Sequence, residues 1–352
     1  VDLERDVPVQ DNMAAQLAPV AADAEKLYER IHPFAHHDTD KFDWRVGLTD
    51  EQIAATEAGF DAFPQVLAAM EKAQQCTDSA WSLNYEQPAD EFIEQALQVS
   101  VSMRNFARLH DCRARYLMSI GKVDEAAEMY LRQLKFCRMQ DSEPLLVLYL
   151  VNTACRAIAV SYLGALLQTH SLSDSTYRAI EAELSRHEGM PGFVHALETE
   201  VPVGLGMFRT YPVVGRLGLG MDGYVAYMRE QISIGAQYHH QLVGNPMPQV
   251  RGIAVTMVPA VDAVREAANR IGAMMRCLRI VNALYAQRHE PSTPIELAQL
   301  NLPTEATIDP FSGKPLQLKA TEQGWIVYSV GKDGRDDGGK VNDLTDVGFG
   351  IP

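Results

Sequence analysis

The chain has 352 residues, 47% apolar and 22% charged, and carries a formal net charge of −15. That length supports about two domains and at least one sizeable core. The acidic balance excludes a nucleic-acid binder, which needs a basic face to displace counterions, and it excludes adsorption to anionic lipid by charge alone.

The chain opens on Val1, which fits a processed or trimmed chain whose N-terminal membrane anchor lies outside it. Residues 32–40, "HPFAHHDTD", bring His36, His37, Asp38 and Asp40 together. Imidazole with carboxylate suits zinc, manganese or iron. The plainer reading is a polar loop between helices. "TDEQ" at 49–52 predicts a capping box opening a short helix. Pro88 sits at the start of a long helix running through Arg115 toward Ile120, and Gly121 stops it. In the next segment Ala126, Tyr130 and Leu134 recur every four residues beside Ala127 and Leu131, one apolar helix face. The pair around "LMSIGKVDEAAEMYLRQL" resembles a tetratricopeptide hairpin: Gly closes one helix, acid-Ala opens the next, and an aromatic follows at Tyr130. Such arrays need about three units, and one is legible, so an ordinary helical bundle stays open beside it.

Residues 145–167 are long enough to span a bilayer, but Asn152, Thr153 and Arg156 mid-segment favour a buried helix of a bundle. Helices are predicted at 143–169, 173–187 and 222–240. Between the last two, 189–223 is rich in Gly and Pro and reads as loop. "GLGMDG" at 218–223 matches a dinucleotide fingerprint by letter only, lacking the strand before it and the acid after it. Neither a Walker loop nor a GxSxG elbow occurs. His187, Glu188 and His195 are not spaced as HExxH, and Gly189, Pro191 and Gly192 interrupt them. His239 and His240 close a predicted helix, where cations suit the dipole. Five cysteines (Cys76, Cys112, Cys137, Cys155, Cys277), without CxxC spacing, read as small buried hydrophobes, with one disulfide left open.

The Pro-Gly stretch 241–250 predicts a boundary between domains 1–245 and 250–352. Beyond it a helix over 258–289 precedes a short helix "PIELAQL" and a β-hairpin, "LQLKA" and "WIVYSV". The ending "YSVGKDGRDDGG" fails as an EF-hand, because Arg335 and Leu344 stand where ligands are needed. Even so, Asp333, Asp336, Asp337, Asp343 and Asp346 crowd one loop, and crowded carboxylates call for solvent or a hard cation such as calcium.

"IDPFSGKPLQLKATEQGWIVYSVGKDGRDDGG" resembles the C-terminal part of the major pseudopilins of type II secretion systems. Asp309, Pro310, Phe311, Gly313, Pro315, Ser329, Gly331, Asp333 and Gly334 match their Asp-Pro-aromatic, hairpin and Ser-x-Gly-x-Asp-Gly signature. The resemblance covers about the last ninety-five residues. It implies a long helix, a β-hairpin and a calcium loop. Ser312 is an extra residue in the Asp-Pro turn. The whole chain is similar to a group of planctomycete-type envelope proteins with an N-terminal anchor, a helical body and a "DPFSGKPL…YSVG…DDGG" ending. That resemblance implies an envelope or periplasmic location and assigns no reaction.

The expectation is therefore a mainly α protein, a helical-hairpin bundle or short α-solenoid followed by a small α+β module. Its expected role is a non-enzymatic, envelope-associated scaffold that binds another protein, with calcium as its one candidate cofactor. Two rivals stand beside it. One is a metal-dependent hydrolase using His36, His37 and Asp38. The other is a binder of an apolar ligand in the helical body, with 203–223 as a lid.

Overall fold

The computed structural model of the chain describes residues 5–35, 42–85, 87–210, 221–244, 258–322, 324–341 and 345–350. It is mainly helical, 66% helix and 6% strand, with a small three-stranded antiparallel sheet near the C-terminus. The N-terminal layer comprises α1 (Met13–Leu17), α2 (Ala21–Ala35), α3 (Asp50–Asp61) and α4 (Pro64–Ala73). Asn12 caps α1 by accepting from the Ala14 and Ala15 N–H groups, and the expected Thr49/Gln52 capping box opens α3. Leu17, Leu27, Ile31, Phe60 and Met70 from this layer share a core with Met103 and Phe106 of α5 (Ala89–Ser119).

A helical hairpin follows. Gly121 takes φ +81°, a conformation that costs other residues a Cβ clash, and the Lys122 N–H returns to the Leu117 carbonyl at 2.8 Å. The chain then re-enters helix as α6 (Val123–Met139), whose Ala126, Tyr130 and Leu134 are buried as their spacing predicted. After it come α7 (Leu146–Thr169), α8 (Asp174–Leu184), α9 (Pro191–Thr210), α10 (Met221–Ser233), α11 (His239–Leu242) and α12 (Val258–Ala286).

Among the described residues α7 is the one helix long and apolar enough to cross a membrane by length and composition. It lies between α5, α6 and α12, and its Asn152 and Arg156 have partners inside the bundle. Asn152 Nδ2 donates to the Cys137 carbonyl at 2.8 Å and to Asp141 at 3.0 Å, and Arg156 donates to Asp141 at 2.7 Å. Gly164 sits in α7 because a Cβ there would fall 2.3 Å from the Phe349 ring.

Three expected segments differ. The Gly/Pro-rich stretch after α8 holds α9 rather than loop, since Pro191 occupies the first helical position, where its missing N–H costs nothing. Gly192 lets that helix approach Asp141, which a Cβ would meet at 2.7 Å. The expected helix over 222–240 is divided into α10 and α11, and "PIELAQL" supplies a single 3₁₀ turn, Leu297–Leu300.

In the sheet, β1 (Gln317–Thr321) pairs with β2 (Gly324–Ser329), and β2 pairs with β3 (Val347–Phe349), a strand the sequence did not disclose. One apolar cluster contains Leu163 and Leu166 of α7, Leu278 and Val281 of α12, Trp325 and Val327 of β2, and Phe349 of β3. All five cysteines are buried and free.

Candidate functional site

The acidic loop joins β2 to β3. Its glycines are dictated locally: Gly331 has φ +67°, and a Cβ there would sit 2.7 Å from the Thr345 carbonyl oxygen. Asp333 and Asp336 fold the loop on itself as Asx turns, accepting from the Arg335 N–H at 3.1 Å and the Gly338 N–H at 2.9 Å. The Tyr328 hydroxyl also donates to Asp336, at 2.8 Å. This bond, with the Gly338 N–H, holds the Asp336 carboxyl below its ordinary range. Burial, with Asp336 beside it, pushes the Tyr328 hydroxyl up.

Asp346 differs from these exposed carboxylates. It is wholly buried, and its Oδ2 accepts from the Gly339 N–H at 2.7 Å and the Lys340 N–H at 3.2 Å. Its Oδ1 is buried with no partner. An orphan anionic oxygen is costly unless something cationic or protic meets it. Carboxylate oxygens of this kind suit calcium. Among the described residues no three His, Cys, Asp or Glu side chains converge to hold a metal, and Asp343 lies outside the described residues. Asp337 is half-buried in the same loop.

Under the loop, the Asp-Pro turn and the Ser-x-Gly motif prove to be one structure. Asp309 is buried, and its Oδ1 accepts from the Phe311 N–H at 2.8 Å and the Ser329 hydroxyl at 2.7 Å. Oδ2 accepts from the Ser312 hydroxyl at 2.9 Å and the Val330 N–H at 3.2 Å. Ser312, the extra residue of the turn, thus has a function in it. The turn is also tied to the helices: Arg276 of α12 donates to the Ile308 carbonyl at 2.6 Å, and the His240 N–H to the Pro310 carbonyl at 3.2 Å.

The histidines separate. His36, His37, Asp38 and Asp40 lie outside the described residues, as do 211–220 of the expected lid. His187 is buried against Glu183, 3.2 Å from Nε2, and burial lowers its proton affinity. Glu188 is engaged by Arg276, by Arg279 at 3.4 Å and by the Tyr238 hydroxyl at 3.1 Å. His239 and His240 open α11 instead of closing a helix.

Sequence reasoning missed the buried polar groups. The spacing of Asp111 and Arg115, one helical turn apart, was the available signal for one pair. Glu143 gave none. It is buried between α6 and α7, accepting from the Ser79 hydroxyl and the Trp81 N–H, and burial pushes its carboxyl up from 4.5 to about 7. A raised acid is stabilising below its unfolded value and loses that contribution as pH rises through its folded one. Stability should therefore fall between pH 4.5 and 7, by on the order of 3 kcal/mol. Glu143→Gln is expected to remove that slope in urea titrations run across the interval. An unchanged slope would mean that other groups set it.

Comparison with protein-family models, with curated proteins and with solved structures returned no match.

Proposed function

We propose that this chain is a non-enzymatic, envelope-associated interaction scaffold whose C-terminal loop is closed by a bound calcium ion. The observation that carries the calcium is the orphan oxygen of Asp346, the one fully buried carboxylate oxygen without a partner among the described residues. Asp346 would hold the ion together with oxygens of Asp333, Asp336 or Asp337, and Asp343 completes the acidic set in sequence. Calcium supplies charge neutralisation and cross-links the two ends of the loop; it takes part in no reaction. The envelope setting and the pseudopilin-like character of the module rest on the resemblance of residues 309–339.

The scaffold reading is supported by the helical body, where buried Asp111 pairs with Arg115 and half-buried Asp141 pairs with buried Arg156. The α5–α6 hairpin would serve in the manner of a tetratricopeptide unit. Exposed Ile93 and Leu97 of α5 and Val147 and Leu150 of α7 give a partner protein apolar surface to cover.

Thermal denaturation in calcium and in chelator tests the proposal. At a calcium concentration about a hundredfold above Kd, stability should rise by about 2.7 kcal/mol. Asp333→Ala should lower Tm in calcium and have little effect in chelator. Identical curves for the wild-type chain in both conditions would sink the calcium site.

A further inference from the structure

Five arginines are buried among the described residues: Arg115, Arg156, Arg265, Arg276 and Arg279. Four have a carboxylate within ion-pair distance, namely Asp111, Asp141, Glu188 and Glu181 respectively. Arg265 of α12 is the exception. It donates to the Ile234 carbonyl at 3.1 Å and to the Gln231 side-chain oxygen at 2.9 Å, with a longer contact to the Gln231 carbonyl at 3.5 Å. Its guanidinium lies over the Phe193 ring at 5.0 Å. Those contacts occupy three of its five N–H donors with neutral acceptors. Burial pulls the group's proton affinity down, and Asp262, one turn earlier and outside ion-pair distance, offsets this only in part.

This guanidinium lines a cavity of about 550 Å³ between α10, α11, α12 and the C-terminal module. Gln231, 0% exposed, lines it too, and its Nε2 is buried with no partner. Here a buried cation without an ion-pair partner borders an open space. Three carboxylates line it as well, Glu230, Asp262 and Glu266. Lys332 pairs with Glu266 at 2.5 Å, and Asn269 spends its amide on the Arg265 carbonyl and its oxygen on the His239 N–H. Ile234, Leu242, Val243 and Phe311 supply apolar wall.

We propose that this cavity binds a small organic monocarboxylate, its carboxylate on Arg265 and its hydrocarbon body against Ile234, Leu242 and Phe311. Arginine matches a carboxylate with paired N–H groups, and in a buried setting that match replaces the missing partner. Asp262 and Glu266 at the same cavity select against dianions such as phosphate esters, because only one buried positive charge is unpaired. The proposal is independent of the calcium loop.

Isothermal titration of the full chain with octanoate and with octanamide tests it. The two probes share a chain and differ in charge. Octanoate should bind, and octanamide should bind at least about tenfold more weakly. Gln231→Glu places an internal carboxylate beside Arg265. It should abolish octanoate binding while raising Tm, an outcome that misfolding cannot imitate. Equal binding of the two probes to the wild-type chain, binding of neither at millimolar concentration, or unchanged octanoate affinity in Gln231→Glu would each overturn the assignment.

Discussion

Asp111→Ala should destabilise the protein by about 3–5 kcal/mol, the loss seen when one member of a buried ion pair is removed. Arg115 and Asp111 have side chains 0% and 1% exposed, with Nε 3.0 Å from Oδ2. The Tyr130 hydroxyl donates to the same carboxylate at 2.8 Å, linking α6 to α5. Both Nη atoms of Arg115 lack hydrogen-bond partners and face aromatic rings instead: Phe42 at 4.5 Å, Tyr162 at 4.7 Å and Trp44 at 5.5 Å. Ring quadrupoles stabilise a desolvated cation by up to about 2 kcal/mol, which is insufficient to replace the carboxylate. Removing Asp111 therefore strands a charge in the core and a tyrosine hydroxyl beside it. The double change Asp111→Leu with Arg115→Met should recover most of the loss, since neither charge then needs solvating. Urea midpoints of the single and double variants check this. A loss below about 1 kcal/mol for the single change would show that the rings and the helix carry the cation unaided.

What the sequence disclosed and what it hid follow one rule. Signals confined to a few neighbouring residues were legible: the Thr49–Gln52 capping box, the Gly121 stop and the buried stripe of α6. Buried cysteines were also expected, and all five are buried. Features that depend on a distant partner were hidden. Gly164 reads as a weak point in a helix until Phe349, almost two hundred residues later, is seated against it. The Gly-Pro texture of 189–210 reads as loop because propensity counts against a helix, yet Phe193, Ala196 and Leu197 bury one face of α9 against α7 and α10. β3 is only three residues long, too short for alternation to register, and it exists through pairing with β2. The acidic loop was visible as composition, whereas the distinction between Asp346 and its neighbours is a matter of burial. Arg265 offered no signal at all, because an arginine without a counter-ion looks in sequence like any other.

Asp309→Ala should cost about 4 kcal/mol, and Asp309→Asn about half of that. The carboxylate holds four donors, and two of them, the Phe311 and Val330 N–H groups, are backbone and cannot turn elsewhere. The Ser312 and Ser329 hydroxyls can rotate to new acceptors. Alanine leaves both backbone donors buried and unpaired, at about 1–3 kcal/mol each. Asparagine keeps one oxygen, so one backbone N–H is satisfied while the other faces an amide donor in either orientation. Ser329→Ala should be milder still, at about 1 kcal/mol, because Asp309 retains three donors and only the Gly331 N–H loses its acceptor. Guanidinium unfolding of the three variants would give this order. The losses should be the same in calcium and in chelator, since Asp309 points into the turn beneath the loop and not into the acidic cluster. A calcium-dependent loss at Asp309 would mean that the turn and the cation loop form one site, and that the buried turn is assembled only when the loop is closed.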